Sequence, residues 1–313
     1  MALFGRSKSS PRLMPELDDG ELGRLCKQLS PSTMRNMADF NVEAAERLVK
    51  DADTDWDRRW HRLSVLAEAT ADFNFDRSWL MRRPKSVDAM IFGAWVSAVR
   101  VSRGEPASEL PDAAQTCYHA AESRPHDPLP HVALLAILRL LRRPSHELNE
   151  VWQNVVLRDP WNREAHLQVL AYLSPEECGL PGQAREFVDA QQARMPADAP
   201  ATALELTASV REFHRATTGD QLNGILADLW WDRPHAASVL DRALTLWTRP
   251  GFLRHAAALA DLNLLAYALT QAGRISEAGA VFEALGTTVV GWPWSERGDP
   301  AEQFASWRSR ALR

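Results

Sequence analysis

Pro125, Pro160 and Pro196 each close a stretch of helix-compatible sequence, and they stand 35 and 36 residues apart. Counted back from each, apolar or mid-sized residues return at the same offsets: Ala113, Cys117 and Ala120; Leu148, Trp152 and Val155; Ala184, Val188 and Gln191. Ala278, Phe282 and Leu285 repeat the set near the C-terminus without the proline. Recurrence at i, i+4 and i+7 places each triplet on one helix face. The spacing leaves room for two short helices and their turns. One such pair cannot keep its own apolar face dry, so the units must stack. The repeat therefore constrains the chain to an all-α architecture.

Helix starts carry a capping residue just before proline at Ser30-Pro31, Asp127-Pro128, Asp159-Pro160, Ser174-Pro175 and Asp299-Pro300. The side-chain oxygen accepts an orphan amide hydrogen, while proline supplies a helical φ and has no N–H to leave unpaired. With the periodicity, these signals predict helices over 16–29, 32–50, 54–71, 77–83, 87–102, 109–124, 128–142 and 146–158, and over 160–173, 182–195, 200–216, 221–231, 235–247, 251–272, 275–286 and 299–311. The best strand signal, 287–290, is too brief to build a sheet. Residues 1–15, rich in Ser, Pro and basic residues without periodicity, read as a disordered basic tail. Residues 16–105 read as an N-terminal helical region, and 106–313 as helical repeats closed by a C-terminal capping helix with Phe304 and Trp307.

The segment 262–286, LNLLAYALTQAGRISEAGAVFEALG, is similar to the tetratricopeptide pattern in most signature positions. Leu262 stands where that family often has Trp, and Leu269 where it has Tyr; the middle pairs match less well, with Leu135 and Leu170 where a small residue is preferred. At finer grain DWDRRWHRL (55–63), RDPWNREAHLQVLAYL (158–173) and WPWSERGDPAEQFASWRSRAL (292–312) resemble uncharacterised bacterial tetratricopeptide-like proteins of GC-rich organisms. The resemblance implies an α-solenoid of antiparallel helix pairs, a right-handed superhelix, and no established activity.

A net charge of −5 gives no global attraction to nucleic acid or anionic membrane. Arginine outnumbers lysine 32 to 4, which reads as a GC-rich coding bias rather than a set of phosphate forks. Three cysteines, Cys26, Cys117 and Cys178, make no disulfide framework and fit a reducing cytosol. The longest apolar run, 132–138, is far short of the roughly 20 residues a spanning helix needs. A cytoplasmic protein without membrane insertion is expected.

The polar constellations have plain readings. Asp51, Asp53, Asp55 and Asp57 alternate, but the places where a calcium loop needs Gly and Glu hold Trp56 and Arg62, so an acidic helix cap is expected. Cys117, His119, His126 and His131 contain metal-ligand types, yet Cys117 and His119 point to different sides of one helix. Arg82, Arg83 and Lys85, and Arg139, Arg142 and Arg143, sit where helix C-termini favour cations. None of the nucleophile, phosphate-loop or zinc-protease motifs occurs, so no catalytic residue, cofactor or metal is nominated.

Stacked helix pairs offer a groove along their first helices. The outward turns of 128–142, 160–173 and 251–272 carry Arg139, Gln168, Asn263, Tyr267 and Gln271, and Trp230 and Trp231 flank a turn; these are the candidate groove residues. The reading is a non-enzymatic adaptor or scaffold for a peptide or partner protein, with self-association left open. The alternative is a sensor of a small molecule or signal peptide, with 216–232 as lid or pocket wall.

Overall fold

The computed structural model describes residues 10–29, 38–217 and 229–313. The Ser30-Pro31 cap, most of the 221–231 helix and residues 1–9 of the tail lie outside the described residues. Among the described residues the regular structure is helical apart from one short strand pair, and the chain divides into two compact units, 19–204 and 1–18 with 205–313. The expected boundary at 105/106 thus falls inside one unit.

Among the described residues of the first unit, ten α-helices follow in order: α1 (Gly20–Gln28), α2 (Ala38–Lys50), α3 (Trp56–Thr70), α4 (Phe75–Arg82), α5 (Val87–Ser102), α6 (Leu110–Ser123), α7 (Leu129–Leu140), α8 (Ser145–Val156), α9 (Arg163–Tyr172) and α10 (Gln183–Gln192). Short polar side chains start several of them. Asp19, Asp55, Ser86 and Asn162 accept the amide hydrogens of Leu22, Arg58, Ala89 and Ala165, and Asp127 Oδ1 accepts that of Leu129 at 2.8 Å. Two expected starts differ. Asp159-Pro160 opens a turn in which Asp159 accepts the Asn162 side-chain amide, and Asn162 caps α9. Ser174-Pro175 opens no helix; its hydroxyl donates to the Ala171 carbonyl, and the chain turns until α10.

The helices pack in an alternating order. α3, α5, α7 and α9 follow one another directly, each against the next in that row. α4 lies on α3 and α5, α6 on α5 and α7, α8 on α7 and α9, and α10 on α9. Within that row α7 is fully enclosed: every residue from Leu129 to Leu138 is buried. Because a buried helix is apolar all round, its wall of Val, Ala, Leu and Ile needs no wet face.

Arginines hold the layers together. Arg62 donates from Nε to Asp19 at 2.8 Å and from Nη1 to the Leu48 carbonyl at 2.6 Å, joining the start of α1 and the end of α2 to α3. Arg100 on α5 reaches the Ala71 and Phe73 carbonyls and Asp76. Arg59 pairs with Asp88, which is fully buried, and Arg124 bridges Asp88 and Asp127. Their abundance, read as coding bias, includes this buried structural set.

The second unit contains β1 (Arg12–Leu13), α11 (Leu204–Thr217), α12 (Pro234–Trp247), α13 (Ala258–Gln271), α14 (Ile275–Leu285), β2 (Thr288–Val289) and α15 (Pro300–Ala311). β1 and β2 pair in parallel, Arg12 opposite Thr288 and Leu13 opposite Val289. At this point the N-terminal segment is a strand rather than a loose tail. α13 and α14 form the best-matched hairpin of the sequence, turned at Gly273 with φ 71°. α15 packs on α14 and buries Phe304 as expected. Phe304 meets the Phe282 ring edge-on at 5.0 Å and Trp294 at 5.5 Å. No helix among the described residues is long and apolar enough to cross a membrane.

Candidate functional site

Of the seven groove residues, two belong to the first unit and five to the second. Arg139 and Gln168 meet in the first unit: Arg139 Nε donates to Gln168 Oε1 at 2.7 Å, Arg139 also pairs with Glu177, and Gln168 donates to Glu164 at 2.6 Å. Both are half-buried, and their polar groups bind each other and two carboxylates. A groove floored by α7 would need exposed side chains on that helix, and Leu129–Leu138 offers none.

Asn263 and Tyr267 are core residues of the second unit rather than groove residues. Asn263 accepts the Trp294 indole N–H at 3.1 Å and donates to the Leu259 and Thr288 carbonyls. Tyr267 Oη lies 2.8 Å from His214 Nε2, and burial pushes the phenol up to about 12. Trp231 is buried against Phe213 at 5.6 Å, and Trp230 is covered by the Arg233 guanidinium 4.2 Å above its ring. Gln271 is half-buried, at 3.4 Å from the Thr270 hydroxyl. Polar side chains can occupy a core when partners are supplied, and here the partners come from distant segments.

The other constellations also separate. Asp55 caps α3 as the alternating aspartates suggested. Cys117 is buried in the α6 core, where desolvation pushes its thiol up to about 12. His119 lies on the opposite, exposed side beside Gln115 and Glu122.

The alternating order of the first unit leaves clefts elsewhere, between successive helices of the outer row and over the inner helix that separates them. One lies over α5, with Leu80 from α4, Gly93 from α5 and Ala113 from α6, and encloses about 250 Å³. The Arg77–Glu109 ion pair spans its rim at 3.2 Å. The other lies over α9, between α8 and α10, and encloses about 430 Å³. That is the size range of small-ligand pockets. Leu148 and Trp152 from α8, Val169 and Tyr172 from α9 and Phe187 from α10 form its apolar walls; Asn149 and Gln191 add polar groups.

The repeat triplets build this second cleft. Leu148 and Trp152, and Gln191, are the positions that recur at i, i+4 and i+7, so the inward faces of α8 and α10 converge on α9. His166 of α9 lies beneath them, 1% exposed. Trp152 meets its ring edge-on at 4.8 Å and Trp161 stacks at 6.0 Å. His166 Nδ1 is 2.8 Å from the Asn162 carbonyl, so this nitrogen carries the proton. Burial lowers the imidazole to about 4, against which the Asn162 carbonyl and the Gln191 side chain act weakly. The ring is neutral at pH 7. Tyr172 is held by its hydroxyl, which donates to the Arg143 carbonyl at 2.8 Å.

Sequence reasoning placed Trp152 and Gln191 on a buried stripe and missed that the stripe also borders a cleft. The signal was width: Trp152 stands where the preceding copy has Cys117, and Phe187 where the two preceding copies have Thr116 and Val151. No protein-family model, curated protein or solved structure matches the chain.

Proposed function

We propose that this protein is a non-enzymatic adaptor, a tetratricopeptide-like solenoid of antiparallel helix pairs that presents the cleft between α8 and α10 to a peptide segment of a partner protein. The observation that carries the reading is the succession α3–α5–α7–α9 with α4, α6, α8 and α10 laid alongside. Stacking of this kind repeats one concavity along a row of helices, and solenoids use such concavities for binding. Of the two clefts, the one over α9 has aromatic walls, the residue types that concentrate binding energy.

Peptide-display selection on the full chain, followed by competition with Asn149→Arg and Phe187→Arg variants, tests it. Asn149 is an exposed rim position, so its substitution leaves the core intact. Selected peptides should bind wild type with a Kd of about 1–100 μM and lose at least about ten-fold on each variant. Binders indifferent to both variants, or a library that yields none, refute the reading.

A further inference from the structure

The cleft over α5 has acidic residues along one side, and most of the polar side chains in its lining are already paired. Arg100 holds both oxygens of Asp76, at 3.1 and 3.3 Å. Arg77 pairs with Glu109 across the rim. Ser97 Oγ donates to the Gly93 carbonyl at 3.3 Å, and Thr116 Oγ1 to the Asp112 backbone carbonyl at 2.9 Å. The Asp112 carboxylate remains: it lines the cleft, and among the described residues no cation or hydrogen-bond donor meets it. An anion entering here would find Arg77 and Arg100 committed and Asp112 opposed to it.

The floor carries a second feature that the fold does not use. Gly93 stands in the middle of α5, where glycine is destabilising relative to alanine. Its backbone is ordinary helix, not one of the glycines at positive φ. A methyl added to it would meet no other part of the fold within 4 Å. Neither conformation nor packing therefore requires glycine at this place. The missing side chain leaves the α5 backbone bare between Leu80, Met90 and Ala113, and close approach of a ligand to backbone is a use that glycine serves.

An apolar floor with an unpaired carboxylate at its edge suits a side chain that is aliphatic along its stem and positive at its tip. Opposite charge also steers the encounter. We propose that the cleft between α4 and α6 seats a lysine or arginine side chain of a partner protein, its stem against Gly93, Leu80 and Met90 and its charged end at Asp112. This site is separate from the α8–α10 cleft, whose lining holds no Asp, Glu, Lys or Arg, and it stands whether or not that cleft binds a peptide.

Saturation-transfer NMR on the full chain tests it with three blocked pentapeptides, in which alanines flank a central lysine, arginine or norleucine. The better of the two basic probes should bind with a Kd below about 5 mM and at least about three-fold more tightly than the norleucine probe, a gap of the size an exposed ion pair supplies. Asp112→Asn should close that gap, and Gly93→Leu should weaken the basic probe at least about ten-fold by filling the floor. Gly93→Leu changes no charge, so it separates seating in the cleft from general attraction to a chain of net charge −5. Gly93→Ala should raise the melting temperature, by up to about 4 °C; a fall would show that the fold itself needs glycine and overturn the proposal. Basic probes that fail to bind, or that bind wild type no better than norleucine, overturn it without relying on any variant. So does binding that survives Gly93→Leu. Asn149→Arg should leave the basic probe within about two-fold; a larger loss would place the probe in the α8–α10 cleft and overturn this site.

Discussion

Replacing Asp88 by alanine should be among the most damaging single changes in the first unit, although Asp88 is remote from the α8–α10 cleft. Asp88 is fully buried in the first turn of α5, and its Oδ1 pairs with Arg59 of α3 and lies 3.4 Å from Arg124 at the end of α6. Without it Arg59, only 7% exposed, keeps no hydrogen-bonded carboxylate: it retains the Asp53 carbonyl at 3.3 Å, the Trp56 ring at 5.7 Å and the more distant charge of Asp127. Removing one partner of a buried ion pair costs about 3–5 kcal/mol, because the other charge stays desolvated. Arg124 adds little, since it is one-third exposed and retains Asp127 at 3.0 Å. In a unit of this size each kcal/mol is worth about 2–4 °C, so the melting temperature should fall by roughly 6–20 °C. Removing both charges is a different matter. Arg59 Nε and Asp88 Oδ2 already lack partners, so the pair carries desolvation that its contacts do not fully offset. Arg59→Met with Asp88→Leu should therefore lie within about 2 kcal/mol of wild type. Urea denaturation of wild type, the two single variants and the double variant, followed by circular dichroism, measures the cycle. A double variant as unstable as the sum of the singles, or an Asp88→Ala loss below about 1 kcal/mol, refutes this account of the network.

Burial holds His166 and His131 near 4, below the ordinary value of about 6.5, so the unfolded chain takes up their protons first as pH falls. Stability is thus complete above about pH 6.5 and declines toward pH 4, by up to about 3 kcal/mol for each ring; His166→Phe should reduce the slope of unfolding free energy between pH 6.5 and 4.5, and an unchanged slope contradicts the assignment. Asn263→Leu should lower the stability of the second unit by about 2–3 kcal/mol, since the Trp294 indole N–H and the Thr288 carbonyl lose their partner. The same variant should leave peptide affinity unaltered; a binding defect without destabilisation would return Asn263 to a ligand surface.

What was legible in the sequence was local. Predicted bounds for 87–102 coincide with α5, and those for 54–71, 109–124 and 275–286 run one or two residues wider than the helices at each end or less, because caps, prolines and period act within a turn or two. The β1–β2 pairing is different in kind: Arg12 and Thr288 stand at opposite ends of the chain, and no neighbour of either marks the other as its partner. The candidate site was misplaced for a related reason. Asn263 and Tyr267 are polar and lie between core positions, so helix geometry alone sends them outward; partners from other elements, Trp294 and Thr288 for Asn263 and His214 for Tyr267, offset the cost of their burial. Yet one sequence feature bore on the groove directly. The run 132–138 contains only Val, Ala, Leu and Ile, and a helix apolar around its whole circumference has no side to give to water. The run that is too short to span a membrane already assigns α7 to the interior row. With α7 closed, the cleft surface of the first unit comes from other helices, and the aromatic cleft is walled by α8, α9 and α10.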